Sequence, residues 1–145
     1  MRHFLFATAA AVLAVSAPAA AQTEAERTAS AALEAAPVWD GHNDVPIQLR
    51  SRLGNVINQF DFGDTLDTAT DARNAMHSDL NRMRQGKVGA QWWSVYVSAS
   101  LPEAEAVQAT VEQIDVTKRL IARYPQDLQL ALTADDVEEA MAAGR

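Results

Sequence analysis

The feature that most constrains the fold is a nearly continuous run of β-branched, aromatic and small residues from Val88 to Val97. Such a run is typical of a strand that is buried on both faces, as strands are in a parallel sheet. The residues that follow predict a long helix, because Ser100 to Glu103 has the spacing of a capping box and Pro125 stops a helical pattern. A buried strand followed by a helix indicates an α/β protein.

The rest of the chain continues this alternation. A first strand begins at Val38, and a long polar segment from Asn55 to Ala75 predicts an extended loop. A brief helix is expected after Ser78 or Asp79, and Leu128 to Leu132 could form a third strand. A last short helix is capped by Thr133 and ends at Gly144. The apolar stripe predicted for the long helix comprises Val107, Val111, Ile114, Ile121 and Tyr124.

The first 21 residues have the three parts of a secretory signal peptide. Arg2 supplies the basic start, an apolar stretch follows, and the segment closes on small residues up to Ala21. The apolar stretch is shorter than the ~20 residues that cross a bilayer, and it ends at Pro18, so a membrane-spanning helix is disfavoured. We therefore expect cleavage near Ala21, a periplasmic or extracellular mature protein, an arm or short helix over residues 22–36, and a domain over residues 37–145.

The net charge of the mature chain limits the classes of partner that it is expected to bind. Without Arg2 it keeps 19 acidic and 11 basic residues, a formal net charge of −8, which argues against nucleic-acid binding. It contains no cysteine, so export imposes no disulfide framework and no lipid-bearing cysteine follows the signal. We expect no transmembrane span after removal of the signal peptide.

His42 and Asp44 are the candidate metal ligands. If both are extended at the end of the first strand, their side chains point to the same face, because residues two apart in a strand do so. An imidazole nitrogen and a carboxylate oxygen are suitable donors for Zn²⁺. The alternative is an ordinary polar turn in which Asp44 caps a neighbouring element. Spacing alone leaves both interpretations open.

Three blocks of sequence resemble the membrane (renal) dipeptidases, peptidase family M19. The segment from Val38 to Pro46, VWDGHNDVP, is similar to the opening motif of that family. The segment from His77 to Tyr96 resembles its second-strand motif, and Glu112 to Pro125 resembles its next helix. The three blocks occur in the family's order and cover nearly all of the chain after Val38.

The resemblance implies the N-terminal part of a (β/α)₈ barrel, incomplete in this chain, with two zinc ions at the carboxyl ends of the strands. It implies hydrolysis of dipeptide amide bonds by a metal-bridged hydroxide, with His42 and Asp44 holding one zinc. A bridging Glu and two further His ligands have no counterpart here, so we expect them after Arg145 and expect no catalytic residue within these 145 residues. It leaves a homodimer open.

Two other hypotheses remain. The parent protein could be a different metal-dependent hydrolase of the same barrel type, or an exported module without catalytic activity. Trp92 and Trp93 are expected to be packing residues, and Arg82, Arg84 and Lys87 a solvated rim. Because an incomplete barrel leaves strand edges and apolar faces uncovered, we expect the isolated chain to be unstable or to aggregate. We expect it to hold no tight two-zinc site.

Overall fold

A computed structural model describes residues 22–58, 60–66 and 76–145, so the predicted signal peptide lies outside the described residues. The described elements are α1 (Glu24–Ala35), β1 (Val38–Asn43), α2 (Val45–Leu53), α3 (Leu80–Gln85), β2 (Val88–Trp93), α4 (Glu103–Arg123) and α5 (Ala134–Ala142). In these parts of the chain no helix combines the length and the apolar character needed to cross a membrane. The fold is mixed α/β, as predicted.

β1 and β2 pair in parallel, which confirms the predicted direction of the strands. β2 ends at Trp93, four residues before the end of the predicted run. Its side chains are half-buried or exposed, and Trp92 is 65% exposed, so burial on both faces is not observed. Within the described residues the sheet has two strands, and the elements packed on its faces cover them only in part.

The prediction of a third strand from Leu128 to Leu132 is wrong for the described chain. Its first residues belong to a turn that follows α4, since the Leu128 amide donates to the Tyr124 carbonyl at 2.8 Å. Its last residue belongs to the cap of α5, since the Leu132 amide donates to Asp136 Oδ2 at 2.8 Å. The cap of α5 itself is the predicted one, a capping box between Thr133 and Asp136.

α4 ends after Arg123, as Pro125 predicts, but two other predictions about it are wrong. Pro102 occupies the N-cap position, and Ser100 bonds Ser98 instead of closing a capping box. The predicted stripe is wrong for Val107 and Val111, which are 61% and 60% exposed, although Tyr124 at its end packs against the core. The buried residues are Ala109, Gln113, Val116 and Leu120, because α4 packs against α2 through that side.

The core forms around α2, which sequence patterns did not predict. Pro46 in its first turn and Gly54 at its C-cap, with φ 55°, are the signals that delimit it. Fully buried Leu49 joins Phe62, which comes from the long segment predicted as a loop. The buried cluster comprises Val45, Leu49, Ile57, Phe62, Met76, Leu80, Val116 and Leu120.

The buried carboxylate of Asp79 holds the described part of the predicted loop, at Thr65, against α3. Asp79, 1% exposed, accepts the Thr65 hydroxyl at 3.1 Å and the Arg82 Nε at 2.8 Å, and it caps α3 through the Arg82 amide. Arg82 also donates to the Met76 carbonyl at 2.7 Å. Arg82 is therefore a structural residue, and its assignment to a solvated rim was wrong. Arg84 and Lys87 do lie at the surface, paired with Asp127 and Glu34.

Gly89 on β2 has no room for a side chain. A methyl group there would lie 2.1 Å from Met141 Cε and 2.9 Å from Pro37 Cβ. Met141 can move, but the proline ring cannot, so we expect Gly89→Ala to destabilise the full-length protein by about 1–3 kcal/mol. Gly41→Ala is the matched control, because the described residues leave open space around its Cβ position. Urea unfolding of both variants measures the difference, and equal midpoints would contradict it.

Apolar side chains are left at the surface of the described chain. Trp39 and Trp92 stack with ring centres 6.4 Å apart, and both are more than half exposed. Trp93 instead packs edge-on against Phe62, with 5.8 Å between ring centres. The packing role predicted for both tryptophans is therefore observed for Trp93, whereas Trp92 stacks on Trp39 and stays 65% exposed. Because exposed aromatic surface of this kind favours association, the prediction that the isolated chain aggregates stays as stated.

Candidate metal centre

The carboxyl end of β1 carries an irregularity in its pairing with β2. Asp40 lies opposite Gln91 and Asn43 opposite Trp93, so β1 uses three residue steps where β2 uses two. An extra residue of this kind bends a strand and redirects its side chains, and such bulges are frequent next to functional sites. The displaced stretch contains Gly41 and His42. The backbone therefore presents His42 at the end of the sheet.

His42 and Asp44 meet just beyond this bulge. His42 Nε2 lies 3.1 Å from Asp44 Oδ1, and the two side chains are 68% and 52% exposed. Asp44 is not extended as expected, because it ends the strand and occupies the N-cap position of α2 with φ −96° and ψ 20°. Its side chain makes no capping hydrogen bond within the described residues. Asp44 therefore caps α2 by position, as the alternative interpretation expects, and its carbonyl accepts the Gln48 amide at 3.1 Å, but its carboxylate faces the imidazole.

Asp40 holds the backbone behind this pair. Its Oδ1 accepts the His42 amide at 3.1 Å, and its Oδ2 accepts Gln91 Nε2 at 2.8 Å and Asn43 Nδ2 at 3.3 Å. The hydrogen bond from the His42 amide, helped by those from Asn43 and Gln91, lowers the pKa of Asp40 despite partial burial. Asp40 is therefore an ionised acceptor at neutral pH.

Asn43 ties the same turn to two helices. Its Oδ1 accepts the Val45 amide at 3.1 Å in the first turn of α2. Its Nδ2 donates to Ser78 Oγ at 3.1 Å, close to the start of α3. Asn43 thus fixes the residues on both sides of Asp44. The sequence did not indicate these roles for Asp40, Asn43 and Gln91, although Asp40 and Asn43 flank His42 in its own motif. Ser78 was expected only as one of two candidate N-caps of α3, a position that Asp79 occupies.

The donor set fits one half of a zinc site. An imidazole nitrogen and a carboxylate oxygen are both zinc ligands, and they converge at the exposed end of a strand. Within the described residues no group of three or more His, Cys, Asp or Glu side chains could hold a metal. His77 is exposed near α3, and Glu138 and Glu139 are exposed on α5. The structure brings together the two predicted residues, and their role as metal ligands stays a prediction.

The described part of the chain is thus mixed α/β, with a His–Asp pair at the carboxyl end of a parallel strand. Comparison with known protein families gives a match over most of the chain. The model of the membrane dipeptidases, peptidase family M19, matches residues 26–145. The chain belongs to this family.

Individual relatives are named dipeptidases. An uncharacterized dipeptidase of Schizosaccharomyces pombe is 38% identical over 112 residues, which are 70% of this chain and 25% of the relative. Dipeptidase 3 of Macaca fascicularis is 38% identical over 72% of this chain and 20% of its own length. Dipeptidase 3 of Rattus norvegicus is 35% identical over 68% and 18%. The chain thus spans about a fifth to a quarter of these relatives.

Proposed function

We propose that the full-length protein containing these residues is a zinc-dependent dipeptidase, and that this chain supplies the first part of its barrel. The observation that carries the proposal is the convergence of His42 and Asp44 at 3.1 Å beyond a strand bulge. Membership of the membrane dipeptidase family and the names of the relatives support the substrate class.

In this proposal His42 and Asp44 would hold one zinc ion. Zinc at such a site supplies a Lewis acid for the scissile carbonyl and lowers the pKa of water, so no serine or cysteine nucleophile is needed. His42 must be neutral to offer a nitrogen lone pair, and Asp44 must be ionised. Neither side chain transfers a proton. Asp40 and Asn43 fix the backbone on either side of the pair, so that both donors face the same space.

The remaining architecture follows from the same proposal. The parallel pair β1 and β2, joined through α2 and α3, would be the first two strands of a (β/α)₈ barrel. Later strands would supply the other zinc ligands and would cover the exposed apolar surface around Trp39 and Trp92. The substrate would be a dipeptide, and the family resemblance leaves a homodimer open.

The test of the proposed function is hydrolysis of a panel of dipeptides by the full-length protein, before and after treatment with a zinc chelator. We expect cleavage that the chelator abolishes and that added zinc restores. A panel of other amides and esters is assayed in parallel. Cleavage of those compounds without cleavage of any dipeptide would contradict the proposed substrate class, and the absence of all hydrolysis would contradict catalysis.

Export gives a separate prediction. If residues 1–21 are a signal peptide, the mature protein begins at Gln22. Mass spectrometry of protein purified from the cell exterior or periplasm measures its N-terminal residue. Changing the cleavage-site residue Ala21→Arg is expected to leave the precursor uncleaved, since small residues are needed there. A mature protein that retains Met1 to Ala21 would contradict the prediction.

A further inference from the structure

Gln91 connects the candidate metal centre to the core of the protein. It lies opposite Asp40 in the register of the sheet, and its Nε2 donates to Asp40 Oδ2 at 2.8 Å. Its Oε1 accepts the Trp93 Nε1 at 2.9 Å. The Trp93 ring packs edge-on against fully buried Phe62. Both ends of the Gln91 amide are therefore used, and its orientation is fixed by a residue that is itself held in the core.

The carboxylate that Gln91 holds is the one that bonds the backbone of His42. Asp40 receives Gln91 on one oxygen and the His42 amide on the other. The His42 side chain is 68% exposed, so little packing fixes its direction. The position of its backbone within the bulge consequently decides where the imidazole lies. A loss of the Gln91 contact would leave Asp40 Oδ2 with the longer bond from Asn43 at 3.3 Å and would loosen that backbone.

We propose that Gln91 is a positioning residue for the zinc centre, acting through Asp40 on the backbone of His42. This inference rests on the proposed function, because it requires that His42 and Asp44 bind zinc. Groups that orient metal ligands from outside the coordination sphere typically contribute 10–100-fold to metal affinity. Gln91 acts one residue further away, so we place its effect at the lower end, about tenfold.

The experiment is zinc competition against a chromophoric chelator, using the full-length protein. Gln91→Leu keeps the approximate volume of the side chain but removes both hydrogen bonds, and we expect it to weaken zinc binding about tenfold. With zinc in excess, its kcat should approach that of the wild type. Gln108→Leu is the matched control, because it removes an exposed hydrogen bond of 2.9 Å to Glu112 on α4. We expect this control to leave zinc affinity unchanged.

Exchanging the carboxylate of residue 40 and the amide of residue 91 distinguishes a positioning role of Gln91 from a general loss of stability. Gln91→Glu alone sets a second carboxylate against Asp40, and we expect it to weaken zinc binding at least as much as Gln91→Leu. The double variant Asp40→Asn/Gln91→Glu restores a donor opposite an acceptor and keeps the net charge. In it the asparagine oxygen can still accept the His42 amide, and the glutamate can still accept the Trp93 Nε1, while the longer bond from Asn43 Nδ2 to residue 40, 3.3 Å in the wild type, is lost. Zinc affinity should return to within about threefold of the wild type, since the bonds to residue 91 and to the His42 amide are both kept.

The outcomes are distinguishable. The inference is overturned if Gln91→Leu binds zinc as the wild type does, or if the double variant fails to recover affinity although its zinc-free form melts at the wild-type temperature. The reference variant is His42→Ala, which should abolish the zinc binding that the competition experiment measures. If the wild type itself binds no zinc, or if His42→Ala binds it equally well, the proposed function fails, and this inference fails with it. If His42→Ala loses zinc while Gln91→Leu does not, only this inference fails.

Discussion

His42→Ala in the full-length protein is expected to lower kcat/KM for dipeptides by about 10³-fold or more. The imidazole is one of the two converging donors of the candidate centre, and alanine offers no ligand. A catalytic metal contributes several kcal/mol to the transition state, and each 1.36 kcal/mol is a factor of ten in rate. Steady-state kinetics on a cleaved dipeptide measure the loss. Metal analysis of the same preparation should show about one zinc fewer per chain.

Two further variants control this result. Asp44→Asn keeps the shape of the second donor but removes its charge, and we expect a similar loss of activity and zinc. His77→Ala removes an exposed histidine that lies near α3 and outside the His42–Asp44 pair, so kinetics and zinc content should not change. If His42→Ala retained full zinc and wild-type kcat/KM, the assignment of the pair would be wrong. If His77→Ala matched the loss in His42→Ala, the loss could not be assigned to the pair.

Asp79→Ala is expected to destabilise the full-length protein by about 3 kcal/mol or more. The carboxylate is almost completely buried and bonds Thr65 and Arg82, so its removal leaves a partly buried guanidinium without its charged partner. The cap of α3 is lost at the same time. Urea unfolding measures the change in free energy. Asp115→Ala is the control, because it breaks an exposed pair with Arg119 on α4 and should cost about 0.5 kcal/mol or less.

The same residue predicts a pH dependence of stability. Burial raises the pKa of Asp79, but the hydrogen bonds from Arg82 and Thr65 together outweigh burial and leave the pKa below its ordinary value of 3.8. A lowered folded-state pKa contributes stability that is complete above the unfolded pKa and is lost as pH falls through the folded one. The difference in unfolding free energy between wild type and Asp79→Asn should therefore be constant above about pH 5 and shrink in acid. A difference that grew in acid would contradict this.

Local signals predicted the elements that depend on local chemistry. The start of β1, the short helix after Asp79, the end of α4 and the capping box of α5 all follow from residues at the element itself. The errors concern contacts between elements. Val107 and Ile114 form an apolar stripe on α4, but burial falls on the opposite set because α2, which was not predicted, packs there. A stripe in the sequence does not reveal which neighbour is present to cover it.

In the candidate site, too, sequence predicts what depends on neighbouring residues and misses what depends on contacts between elements. The spacing of His42 and Asp44 predicted that they converge if both are extended. They do lie together, but Asp44 reaches His42 from the start of α2 and not from an extended strand. The contribution of Gln91 could not be predicted, because it depends on the register that sets it opposite Asp40. Arg82 was assigned to the surface for a similar reason, since its partners Thr65 and Met76 come from other segments.

The most direct measurement is anomalous X-ray diffraction at the zinc edge from crystals of the full-length protein grown with zinc. We predict an anomalous peak about 2.0–2.2 Å from a ring nitrogen of His42 and from a carboxylate oxygen of Asp44. His42 and Asp44 would then share a metal ion where they now contact each other at 3.1 Å. Zinc peaks located only elsewhere, with the direct contact between His42 and Asp44 retained, would contradict the assignment of this pair as the first half of the metal centre.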